Sequence, residues 1–158
     1  MPTTDGFDAR LADLGIELPG PHPPHDPLDA VVVHGGRART SGQLPRRVDH
    51  ELAHPGVLGD SVTVAEGFEA ARWCALNALS VLRAELGSLD RIARVLSVLG
   101  FVASAPGFTE QPAVVDGASQ VLHEIFGEAG RHTRSAVGVA ALPRGGAVEI
   151  EVEVALRS

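Results

Sequence analysis

Lysine and tyrosine are absent from this chain of 158 residues, and cysteine, methionine and tryptophan occur once each. With no lysine, a Schiff-base route to carbonyl chemistry through a side-chain amine is closed. With Cys74 as the single cysteine no internal disulfide can form, and the strongly helical pattern around it reads it as a small buried hydrophobe. Long apolar runs are missing too: none approaches the roughly 20 residues of a membrane-spanning helix, so no membrane partner is expected. Met1-Pro2-Thr3-Thr4-Asp5 lacks the basic patch and apolar stretch of a secretory signal, and the expected location is cytoplasmic. Positive charge is scarce. Thirteen basic residues, all arginine, face 20 acidic ones for a net charge of -7, and they form no stripe, so nucleic acid is not an expected partner. His22 and His25 beside Asp26 have a metal-like spacing. A proline-rich arm lacks the rigidity of a tetrahedral site, however, and no metal is expected.

What is present suits one domain, long enough to bury roughly 68–70% of the surface its unfolded form exposes. Asp5 to Leu18 is weakly helical, with Leu11, Leu14 and Ile16 as its apolar positions, and leads into the extended arm Pro19–Pro27. We therefore expect residues 1–27 to form an N-terminal segment and arm, outside the core or over its edge, and residues 28–158 to form the domain. Leu28–Val33 reads as a strand, His34-Gly35-Gly36-Arg37 as a tight hairpin turn and Arg37–Ser41 as the return strand. Pro45–Asp60 has no periodicity. Thr63-Val64-Ala65-Glu66 has the spacing of a capping box, and Val64, Phe68, Ala71, Ala75, Leu79, Leu82 and Leu86 recur behind it at helical intervals up to Gly87. Trp73 reads as packing. Ile92–Val102 suits a central strand, and Thr109 is placed to cap a second helix whose stripe is Val115, Ala118, Leu122 and Ile125. The last strands are Ser135–Leu142 and Ala147–Leu156, the latter alternating Val148, Ile150, Val152 and Val154 with Glu149, Glu151 and Glu153. The expected fold is α/β (α+β), order β-β-α-β-α-β-β, a mixed sheet with two helices on one face.

Several stretches carry a resemblance: Thr40-Ser41-Gly42-Gln43-Leu44-Pro45, Ser104-Ala105-Pro106-Gly107-Phe108, Gly117-Ala118-Ser119, and the run from Phe126 to Pro143 containing Gly130-Arg131-His132-Thr133-Arg134-Ser135-Ala136-Val137-Gly138-Val139. Together they resemble the YjgF/RidA family, also labelled endoribonuclease L-PSP, in a longer branch marked by SAPGF and GRHxRSAVGVAALP. The resemblance implies a chorismate-mutase-like fold, a homotrimer with clefts between subunits, and hydrolysis of a reactive imine or enamine to keto acid and ammonium without a cofactor. It implies that Arg134 grips a substrate carboxylate and that Glu149 helps hold the attacking water. Ser41, Gly42, Gln43, Ser135, Ala136 and Phe108 are the implied neighbours of a small-molecule imine, enamine or keto-acid ligand.

The chain also departs from its relatives. Ala136 stands where the deaminase branch has a cysteine, and Leu28 lies where an aromatic commonly covers the cleft. These departures favour a pathway-specific tailoring role on a related C=N or enol substrate as the alternative, with a non-catalytic metabolite-binding trimer as a third reading. Arg37 and Arg39 stand where relatives are apolar and offer a second anion contact. The residues alone leave open whether Arg134 is instead an interface ion pair, and whether Glu149 is one of three equivalent glutamates on a wet strand face. Surface placement is expected for Arg131 and His132.

Overall fold

A computed structural model describes residues 6–158, so the terminal stretch ending at Asp5 lies outside the described residues. The chain order is α1 (Phe7–Asp13), β1 (Val31–His34), β2 (Arg37–Thr40), α2 (Val64–Leu86), β3 (Ile92–Ala103), α3 (Gln111–Phe126), β4 (Thr133–Val139) and β5 (Val148–Leu156), with short 3-10 turns at Leu89–Arg91, Gly127–Gly130 and Pro143–Gly145. The five strands form one mixed sheet in the order β1-β2-β5-β3-β4, in which only β3 and β4 run parallel. The expected order of strands and long helices is the observed one. Gly35 and Gly36 turn the first hairpin with φ of 60° and 74°, a left-handed pair that side chains disfavour.

Thr63 and Glu66 form the capping box at the start of α2, and Gly87 ends that helix at φ 84°. Every residue from Cys74 to Leu82 is buried, more than a one-faced helix would cover, because α2 packs on the sheet, beside α3 and under part of the N-terminal segment. α3 comes so close that a Cβ at Gly117 would overlap the Phe68 carbonyl. The N-terminal segment packs over the helices. Leu11, Leu18 and Pro19 are buried, Phe7 packs edge-on against Phe126 at 4.6 Å, and the Ser80 hydroxyl donates to the Pro19 carbonyl. Leu11 and Leu18 thus join the domain core, with Phe7 and Ile16 packed against it, and residues 20–27 stay exposed over its edge. Thr109 does not cap α3. The preceding position is Glu110, which makes no capping bond, and the Gln111 side chain ties down the turn instead by donating to the Phe108 carbonyl at 2.8 Å. Cys74 is fully buried, and burial, then the Glu149 charge, pushes its thiol well above the usual range.

Both long helices cover one face of the sheet, leaving the face of Glu149, Glu151 and Glu153 without a layer of its own. No described helix is long and apolar enough to cross a membrane.

Candidate active site

From Arg39↔Glu153 to Gln43↔Ile150 the chain advances four residues on one side of the ladder and three on the other, so Ser41-Gly42 form a bulge. The opening is stitched on both sides. Ser41 donates its backbone N–H to the Ala30 carbonyl at 2.8 Å, Thr40 Oγ1 accepts the Val152 N–H at 3.1 Å, and Gln43 exchanges backbone bonds of 2.9 and 3.1 Å with Ile150. Gly42 then lies over the Glu149 side chain, where a Cβ would stand 2.8 Å from the carboxyl carbon. Ser41, Gly42, Gln43 and Glu149 line one cleft of about 320 Å³, together with Leu28, Arg46 and Arg144.

The three glutamates of β5 are not equivalent. Arg37 and Arg39 on β2 do not form a second anion contact: opposite Ala155 and Glu153 in the register, they reach diagonally to Glu153 at 3.6 Å and Glu151 at 3.3 Å. The next alternate residue after Arg37 and Arg39 is Ser41, at the bulge, and among the described residues no basic group lies within 4.0 Å of Glu149. Burial, then the neighbouring Glu151 charge, raises the Glu149 carboxyl above the usual carboxylate range. Glu149 is therefore a half-buried carboxyl with no cationic partner among the described residues.

Arg134 lies elsewhere. Its Nη1 donates to Asp116 at 2.9 Å and to the Ser119 hydroxyl at 3.1 Å, and its Nη2 donates to the Pro112 carbonyl at 3.2 Å, all three on α3. Val98 stands opposite both Arg134 and Val152, whereas Phe101 stands opposite both Val137 and Glu149. Opposed residues share a face and the face alternates along a strand, so Arg134 and Glu149 project from opposite faces of the same sheet. Three of the five guanidinium N–H donors are used, and the Nε edge makes no bond among the described residues.

The remaining expected contacts divide likewise. Ser135 borders a separate groove of about 290 Å³ on the bare face with Arg39, Glu151 and Glu153. Ala136 packs toward the core, and Phe108 packs against it beside Gly59. Neither reaches the Glu149 cleft.

Two groups carry weight that the motifs did not assign. His132 is partly buried rather than on the surface: its Nδ1 faces the Gly130 carbonyl at 2.6 Å and its Nε2 lies 2.8 Å from Ser119 Oγ. A carbonyl only accepts, which assigns the proton to Nδ1 and makes Nε2 the acceptor of the serine hydroxyl. Burial, with a smaller push from Arg134, lowers the His132 pKa and keeps the ring neutral. Asp116, Ser119 and His132 thus hold Arg134 in one orientation. The second group, Arg46 and Arg144, lines the Glu149 cleft from loops without periodicity.

A family signature described as "YjgF/chorismate mutase-like, putative endoribonuclease" matches residues 8–148. The chain belongs to the YjgF/RidA family. Its YjgF/RidA relatives include Protein TCP17 of Trypanosoma cruzi, 47% identical over 151 residues, covering 95% of this chain and 94% of that protein. Among solved structures, the chain is similar to Atu1372 of Agrobacterium tumefaciens, with 39% identity, a TM-score of 0.88, and coverage of 96% and 92%. It is also similar to E. coli TdcF with bound serine, with 25% identity, a TM-score of 0.60, and coverage of 89% and 94%. The YjgF/RidA fold expected from the quoted motifs is the observed one.

Proposed function

We propose that this YjgF/RidA chain hydrolyses a small imine or enamine, releasing a keto acid and ammonium, with Glu149 as the base. The observation that carries the reading is the singling out of Glu149: of three alternating glutamates it alone lacks an arginine partner, and it lies in a cleft under Gly42, where burial raises its pKa. Bound serine in TdcF supports the substrate class, since serine less one water is 2-aminoacrylate.

An enamine first takes a proton at carbon, which a protonated Glu149 carboxyl can supply, to give the iminium form of the imine and a Glu149 carboxylate. Glu149 then accepts a proton from water as the oxygen attacks the imine carbon, forming a carbinolamine. Returning that proton to nitrogen allows the C–N bond to break, and ammonia departs as the carbonyl forms and the hydroxyl proton passes back to the Glu149 carboxylate, to be taken up by ammonia or by the next enamine. C=N hydrolysis already proceeds in water, so orientation and one base suffice and no cofactor is required. The substrate carboxylate is gripped by Arg134, whose planar donors match it. Arg134 and Glu149 project from opposite faces of one sheet, which supports a cleft between neighbouring subunits of a homotrimer, with Arg134 from one subunit and Glu149 from the next.

The test is the loss of 2-aminoacrylate and several bulkier imines, generated enzymatically, with wild type and with Glu149→Gln. Wild type is expected to accelerate loss of at least one of them, and Glu149→Gln to remove most of that acceleration. No acceleration of any imine by wild type would overturn the reading.

A further inference from the structure

We infer that Arg46 and Arg144 form an anion subsite at the far end of the Glu149 cleft, so that the ligand carries an acidic group beyond its 2-carboxylate. This inference rests on the reading of the cleft as an imine and keto-acid site, and it narrows the substrate class.

Arg46 is 9% exposed and is the one arginine among the described residues that is buried. Its loop is fixed, since its carbonyl accepts the Asn77 side chain at 2.8 Å and its strand-like backbone pairs with Leu52. Yet no carboxylate of the described residues lies within 4.0 Å of Arg46 or Arg144, and of the several arginines without such a partner only Arg46 is buried. A partly desolvated guanidinium with no carboxylate partner favours an anion beside it. The stem of Arg46 is enclosed while its guanidinium borders two adjoining clefts, both of which Arg144 also lines.

The two guanidiniums are the fixed charges of this lining. His22, His50 and Glu51 border the same space, and burial, followed by Arg46, Arg144 and His50, lowers the His22 pKa and keeps that ring neutral. Arg144 and His50 hold left-handed backbone at φ 59° and 71°, an unfavourable conformation for residues with side chains, and both stand at this one place. A ligand with its C=N carbon at Glu149 and a second acid on the two guanidiniums satisfies both ends of the cleft. The planar donors accept either a carboxylate or a phosphate in two-bonded geometry.

The experiment is calorimetric binding of three stable keto acids at fixed ionic strength to wild type, Arg144→Ala and Arg46→Met. The probes are 2-oxobutanoate, with one acidic group, 2-oxoglutarate, with a second carboxylate, and 3-phosphonooxypyruvate, with a phosphate. Wild type is expected to bind one of the two-headed acids at least about tenfold more tightly than 2-oxobutanoate, and the preferred one names the distal group. Both variants are expected to shrink that preference to about threefold or less. Arg144 is exposed, so Arg144→Ala decides the matter should Arg46→Met fail to fold. Equal affinity of wild type for all three acids, or a preference that survives Arg144→Ala, overturns the subsite alone. Binding of none of the three removes the cleft reading and the subsite together.

Discussion

Glu149, Glu151 and Glu153 repeat at every second position of β5, and what separates them is the strand alongside. Two cross-strand arginines neutralise Glu151 and Glu153, while a bulge leaves Glu149 alone. That difference was not legible in the sequence, since alternation gives all three residues the same signal and the register is fixed by residues more than a hundred positions away. It has a measurable sign. Burial raises the folded-state pKa of Glu149, so its preference for the proton favours folding at low pH and is lost as pH rises through the raised value. Neutral Glu149→Gln is therefore expected to unfold at higher temperature than wild type near pH 7, and to converge with wild type below about pH 4, where an ordinary glutamate is also protonated. A Glu149→Gln protein that melts below wild type at pH 7 would contradict the assignment. For Arg134, the Arg-Ser motif was readable but the facing was not, because strand parity depends on pairing with β3. Arg134→Ala is expected to weaken keto-acid binding by about 1.5–3 kcal/mol, roughly tenfold to more than a hundredfold. Arg134→Lys should recover little, since an ammonium lacks the parallel donors. Normal binding by both variants, or joint loss of fold and binding, would make Arg134 a structural residue.

At the scale of elements, local signals were reliable where the chemistry is local. The capping box at Thr63, the glycine pair in the first hairpin and the left-handed Gly87 all depend on residues within a few positions of one another. Thr109 failed as a cap because Gln111 reaches back to the Phe108 carbonyl and sets the turn in its place. The N-terminal segment reads as marginal by itself, and only the packing of Leu11 and Leu18 against the core shows why it is ordered. Close helix approach was equally invisible. A methyl at Gly117 would meet the Phe68 carbonyl, so Gly117→Ala is expected to force α2 and α3 apart at a cost of about 1–3 kcal/mol. For a protein of this size that corresponds to a fall in Tm of roughly 2–4 °C per kcal/mol. Thermal unfolding of Gly117→Ala with an unchanged Tm would mean that the helices are less tightly opposed than described.

At the scale of the whole molecule, the central fact is a sheet covered by helices on one face and bearing cross-strand ion pairs on the other. Exposed Val32, Arg37, Arg39 and Val137 share that bare face with the glutamates, a mixture of apolar and paired charged groups suited to a symmetric contact. A homotrimer is the expected state, and a monomer in sedimentation equilibrium at micromolar concentration would contradict it. The most direct measurement is subunit complementation. Arg134→Ala and Glu149→Gln proteins are purified separately, denatured, refolded together in equal amounts, and assayed for loss of the imine that wild type hydrolyses. If each cleft takes Arg134 from one subunit and Glu149 from its neighbour, independent assortment in the closed ring restores both residues in about a quarter of the clefts. Recovery to about that fraction of wild-type activity, from two parents that are each nearly inactive, is the expected result. A mixture no more active than its parents would contradict the account of the site.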